Sequence, residues 1–168
     1  MNGDDLQRKL DDIFDQGLIF HGFTDYMRDY ELVVHCTADP RTGIPPANLR
    51  YLFKVCVVAR IETSVPPEVW LRSLDERLID YEAGVDLDGY VWGVKWQMLY
   101  PGARIVRNSV EARRWTDALA IPFHEVEIEG NGHRMTLVFS DLEVTEVEAG
   151  FAPFVVGPGG PDGKIPLG

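Results

Sequence analysis

The segment His124–Phe139, HEVEIEGNGHRMTLVF, decides the fold class. Asn131-Gly132 is a dipeptide that tight hairpin turns favour, because such turns need positive φ at their central positions. With the turn placed there, Gly130 pairs with His133 and Ile128 with Met135. Val126, Ile128, Met135, Leu137 and Phe139 then share one apolar face, since strand side chains alternate. Glu129 and Arg134 oppose each other on the outer face. This is an antiparallel pair with one buried side, and the rest of the chain is read around it.

Immediately upstream, a helix is expected from about Asn108, with Glu111 three residues on in capping-box position. Ala112, Trp115 and Leu119 form its inward stripe. Before it, YVWGVKWQMLY (90–100) alternates Tyr90, Trp92, Val94, Trp96, Met98 and Tyr100 onto one face, and Pro101-Gly102 stops it. The run YLFKVCVVARIE (51–62) reads as one long strand, with Phe53, Val55, Val57, Ala59 and Ile61 on one side and Lys54 and Arg60 on the other. Ser64 and the Pro66-Pro67 pair open a helix whose apolar stripe is Trp70, Leu71, Leu74 and Leu78. Leu6, Leu10, Ile13 and Phe14 recur at helical spacing, which predicts a helix over 4–16 capped by Gly17. Residues 18–37 predict two strands around a polar turn at Asp25–Asp29, and Pro40, Gly43, Pro45 and Pro46 mark a loop. The expected fold is therefore α+β. It is one domain over 1–149, a mostly antiparallel sheet of five to six strands with about three helices. A flexible Pro/Gly-rich tail follows over 150–168.

Composition narrows the function classes. The net charge is −11, and Glu125 to Glu148 carry seven acids against one base, Arg134. Nucleic-acid binding needs a basic surface that displaces counterions, so no nucleic-acid partner is expected. No apolar run reaches the roughly 20 residues that span a bilayer, and MNGDDLQRKL lacks the apolar region of a signal peptide. A cytoplasmic protein without a membrane partner is the expectation. Cys36 and Cys56 sit in apolar runs without CxxC spacing, which predicts buried thiols rather than a zinc site.

The chemical motifs are weak. HEVEI departs from HExxH at Ile128, and strand geometry puts His124 and His133 about 20 Å apart. Asp80, Glu82, Asp86 and Asp88 lack the spacing of a calcium loop, and GPGGPDGK lacks that of a phosphate loop. No GxSxG nucleophile motif occurs. No cofactor or metal is expected, no catalytic residue is assigned, and the reading leans away from an enzyme.

Three groups remain as candidate sites. HGFTDYMRDYEL brings His21, Asp25, Tyr26, Arg28 and Asp29 into a polar-aromatic stretch between strands, where binding residues often lie. Trp92, Trp96 and Tyr100 form an aromatic face, either core or interface. Glu125, Glu127, Glu129 and Glu143 form an acidic face suited to a basic protein partner, the first three expected on one solvent-facing strand edge. The leading reading is a protein-binding module. The alternative is a small-ligand binder or enzyme that uses the His21–Asp29 loop beside Trp92 and Trp96. A third is a structural domain that forms a homodimer through the aromatic face.

The blocks HGFTDYMRDYEL, YVWGVKWQMLYPGA and RRWTDALAIPFHEVEIEGNGHRMTLVFSDLEV together resemble a bacterial YxiG-like family of uncharacterised proteins, over residues 18–147 and without the first helix or the tail. That resemblance implies no activity or catalytic set. It does imply an immunity-type or accessory role, because some members are encoded near secreted toxins. The glycines around Asn131 depart from the expected turn and put in doubt a partner contact made by the turn itself.

Overall fold

The computed structural model describes residues 2–37, 43, 45–72 and 97–153. Helix α1 (Gly3–Leu10) begins at Asn2, whose Oδ1 accepts the Asp5 amide at 2.8 Å. Asp4 and Asp5 in its first turn and Arg8 and Lys9 in its last complement the helix dipole. A 3-10 turn, Asp11–Ile13, ends it before Gly17, and Asp15 takes the left-handed conformation at φ 60°. The expected helix over 4–16 is thus shorter. Leu6, Leu10 and Ile13 are fully buried, whereas Phe14 turns outward.

The described residues form nine strands, more than the five or six expected: β1 (Gln16–Thr24), β2 (Asp29–Cys36), β3 (Ala47–Lys54), β4 (Val58–Thr63), β5 (Gln97–Leu99), β6 (Gly102–Ile105), β7 (His124–Glu129), β8 (His133–Phe139) and β9 (Asp141–Val147). Helix α2 (Pro67–Arg72) and helix α3 (Val110–Leu119) are the other described helices. One sheet runs β5-β1-β2-β3-β9 and the other β4-β8-β7-β6, with every pairing antiparallel. The class is α+β, dominated by antiparallel sheet.

Three corners join the sheets, because β3 runs into β4, β5 into β6, and β8 into β9. Ladders link β5, β1, β2, β3 and β9 in one sheet and β8, β7 and β6 in the other, and chain continuity from β8 into β9 and from β5 into β6 completes the circuit. The sheets therefore wrap one core as an incompletely closed barrel, with α1 against it. Tyr30, Leu32, Tyr51, Phe53, Val126, Ile128, Met135, Leu137, Phe139 and Leu142 fill that core together with Leu6, Leu10 and Ile13.

The 124–139 hairpin has the expected register, with Ile128 opposite Met135 and Glu129 opposite Arg134. The Gly130 amide donates to the His133 carbonyl at 2.9 Å. The five residues expected on its inner face, Val126, Ile128, Met135, Leu137 and Phe139, are all buried. The glycines also have a packing role, since a Cβ on Gly132 would lie 2.7 Å from Nε2 of Gln97.

The run 51–62 is not one strand. Val55 sits at φ 51°, and Val57 and Val58 both stand opposite Val138, a β-bulge that turns the chain into the second sheet. The single face expected for Phe53 to Ile61 is divided accordingly. Phe53 enters the main core, while Val55, Val57 and Val58 pack on a second cluster of Ala112, Phe123 and Val138 beneath α3. Ile61 is 39% exposed.

Helix α3 starts one residue later than expected, at an N-cap of Ser109 whose Oγ accepts the Ala112 amide at 3.0 Å. Ala112 is buried and Trp115 partly so, but Leu119 is 47% exposed. In the described end of the 90–100 segment the buried residue is Leu99, and Tyr100 is 60% exposed. Leu99 is on the face opposite to Met98 and Tyr100, so of the two readings of the aromatic face, core or interface, Tyr100 is not in the core. Tyr90 to Trp96 and residues 154–168 lie outside the described residues. Among the described residues, no helix is long and apolar enough to cross a membrane.

Candidate functional site: the tip of the first hairpin

The stretch singled out in the sequence is a hairpin turn. β1 and β2 pair from Gly17–His35 out to Thr24–Asp29, and residues 25–28 form the tip. Asp25, Tyr26 and Met27 all take positive φ, at 48°, 64° and 61°. Aspartate tolerates that region, but tyrosine and methionine enter it at a cost of order 1–3 kcal/mol each. Both side chains consequently project outward, Tyr26 at 95% and Met27 at 72% exposure.

The base of the tip is held firmly. The Arg28 amide donates to the Asp25 carbonyl, and Cys56 N–H donates to the Arg28 carbonyl at 2.9 Å. Arg28 grips Asp29 with Nε and Nη2 at 3.0 and 3.2 Å. Asp29 Oδ1 also accepts the Val55 amide at 2.9 Å, so this buried carboxylate pins the tip to the corner between β3 and β4. Burial pushes the Asp29 carboxyl up, but the Arg28 and Val55 hydrogen bonds and the Arg28 and Lys54 charges outweigh it, leaving the group below its ordinary value. Arg50 completes the support, with Nε 2.5 Å from the fully buried Glu31 and an Nη 3.8 Å from Asp25. Its guanidinium also lies 5.9 Å from the centre of the Phe151 ring.

The five sequence candidates separate here. Asp25, Tyr26 and Arg28 are in the turn, whereas Asp29 is buried at the start of β2 and acts structurally. His21 is not in the loop. It lies within β1, with Nδ1 2.6 Å from the Tyr30 hydroxyl. Burial lowers the His21 imidazole, and the His133 charge lowers it further. His133 Nδ1 in turn is 2.7 Å from Gln97 Nε2, so His21, Tyr30, His133 and Gln97 form a polar group apart from the tip. Burial holds the Tyr30 hydroxyl up at about 12, which keeps it neutral. Gln97 and His133 were missed because only the barrel brings β5 and β8 close to β1.

The acidic candidates form no single face. Glu125, Glu127 and Glu129 belong to β7, an inner strand of its sheet rather than an edge, and Glu143 belongs to the other sheet. Glu125 receives the Ser109 hydroxyl, Glu127 pairs with Arg104, Glu129 with Arg134 and Glu143 with Lys54. Trp92 and Trp96 lie outside the described residues, and Tyr100 stacks at a tilt on Phe14 with ring centres 5.6 Å apart.

A cleft of about 510 Å3 opens between the starts of α1 and α3, lined by Asp4, Gln7, Arg107, Ser109, Arg113 and Glu125 among others. Its Ser109 accepts the Ala112 amide as the α3 cap and donates to the Glu125 carboxylate. Both thiols are free, and burial raises them, Cys56 to about 11. Among the described residues, no three His, Cys, Asp or Glu side chains are grouped to hold a metal ion.

Fold and site together define an antiparallel α+β barrel-like domain that carries a rigidly braced, outward-facing hairpin tip. The family profile described as YxiG-like protein matches residues 2–157, and the chain belongs to that family. The match extends beyond 18–147 to include α1, as its burial in the core would require. No curated protein matches the chain.

Proposed function

We propose that this protein is a protein-binding module and that the β1–β2 tip is its recognition element. The observation that carries this reading is the pair Tyr26 and Met27, held in solvent by three consecutive left-handed residues. Backbone strain that the surrounding structure maintains is a mark of function. Tyrosine is a frequent interface anchor, and methionine adapts to varied apolar surfaces. Bracing by Arg28, Asp29 and Arg50 lowers the ordering cost of binding. The net charge of −11 favours a basic partner by steering its approach. The family likeness adds an immunity-type or accessory role, with a toxin as the bound protein.

The test uses the full chain as bait in an extract of its source organism at low salt. The parent should retain one stoichiometric basic protein, and a Tyr26→Gly/Met27→Gly bait should lose it. Glycine relieves the strained φ but loosens the unfolded chain, so thermal stability should be unchanged or raised. No stoichiometric partner, or equal retention by both baits, overturns the proposal.

A second reading, small-ligand binding or catalysis at His21, is favoured by the neutral Tyr30 hydroxyl on its ring. It requires a ligand whose stabilisation of the protein against heat disappears in His21→Phe.

A further inference from the structure

β4 ends its sheet, pairing with β8 on one side, and among the described residues nothing pairs with its other side. Arg60 to Ser64 are all exposed, including Ile61 at 39%. The ladder fixes which backbone groups face outward. Gly130 bonds His133 across β7–β8, so the odd-numbered residues of β8 point to β7 and the even-numbered to β4. Arg134, Thr136 and Val138 thus bond Glu62, Arg60 and Val58, and the Ser64 amide on the Gly132 carbonyl continues the same alternation. The N–H and C=O groups of Ala59, Ile61 and Thr63 consequently face away from the sheet.

An open strand edge is a template for another strand, and natural proteins usually blunt it with charge. Here the charges are of opposite sign and flank the central residue symmetrically, as Arg60-Ile61-Glu62. From this we infer that β4 is a self-complementary edge that takes β4 of a second copy of this chain as an antiparallel neighbour.

A two-fold axis at Ile61 places Ile61 opposite Ile61 and Ala59 opposite Thr63, so the outward-facing groups meet one another. Arg60 of each copy then stands opposite Glu62 of the other in the non-hydrogen-bonded position, where side chains approach most closely. Like any isologous contact, it closes at two copies. It joins the two four-stranded sheets into one and covers the exposed Ile61. A shift by two residues would misplace the charges and uncover Ile61, so the sequence specifies one register. This surface is independent of the hairpin tip.

Sedimentation equilibrium of the full chain should give a reversible monomer–dimer equilibrium. Arg60→Glu and Glu62→Arg each place like charges across the axis and should weaken self-association roughly tenfold or more. Neither side chain lies in the core, so folding is retained, as circular dichroism would check. Mixing the two variants restores both opposite-charge pairs, and the mixture should dimerise as the parent does. A parent that stays monomeric at high concentration, variants that dimerise unchanged, or a mixture that fails to recover association overturns the inference.

Discussion

Asp29 shows how one side chain fixes several backbones. Its carboxylate takes the Val55 amide and the Arg28 guanidinium while almost wholly removed from water. Replacement by alanine leaves the Val55 N–H without its acceptor at the point where the chain changes sheets. Asp29→Ala should therefore destabilise the fold by about 2 kcal/mol, as an unsatisfied buried donor does, and a urea titration would measure it. A change within experimental error would mean that Val55 finds another acceptor and that the tip is not braced as described. The sequence marked Asp29 as a polar residue at a turn, but its partner lies 26 positions away, and no local pattern encodes that distance.

At the scale of elements, β1 and β8 meet through His21 and His133, which place two imidazoles within electrostatic reach. With the folded His21 below its ordinary value, the unfolded chain binds a proton near pH 6.5 that the folded chain takes up only at lower pH. Stability is complete above that range, falls as pH drops through about 6.5, and levels off once the folded His21 protonates. The urea midpoint should decline between about pH 7.5 and pH 5.5, and His21→Gln should make the decline shallower. An unchanged slope in the variant would remove His21 as the cause. The β7–β8 hairpin was legible because its turn chemistry and its alternation are both local and agree. The 51–62 run was misread because alternation continues unbroken through Val55, and the corner arises from contacts with Arg28, Asp29 and Val138.

Across the whole molecule, α1 is part of the barrel rather than an addition to it. Leu6, Leu10 and Ile13 share the core with residues from both sheets, and Gln7 and Lys9 bond the carbonyls of Ala103 and Leu142. Leu10→Ala should cost about 2–5 kcal/mol and lower the melting temperature in a single cooperative transition. A loss confined to helix signal, with the sheet intact, would show that α1 docks without supporting the core.

By itself, the sequence determined the α+β class, the burial of Leu6, Leu10, Ile13 and Ala112, the hairpin register at Asn131-Gly132 and the place of the first turn. Those properties follow from side-chain periodicity and from the backbone freedom of a few residues, which neighbours in the chain express directly. Phe14, Trp70, Leu71 and Leu119, expected on the inward stripes, are instead exposed. Only the tertiary structure decided where strands change sheets, that the carboxylates of β7 are matched within the chain, and that Tyr26 and Met27 stand braced in solvent. It alone paired His21 with Tyr30 near His133, and it alone left β4 as an outer edge. Each depends on groups distant in sequence meeting as the two sheets wrap a shared core, and such meetings are set by how the sheets pack rather than by neighbours in the chain.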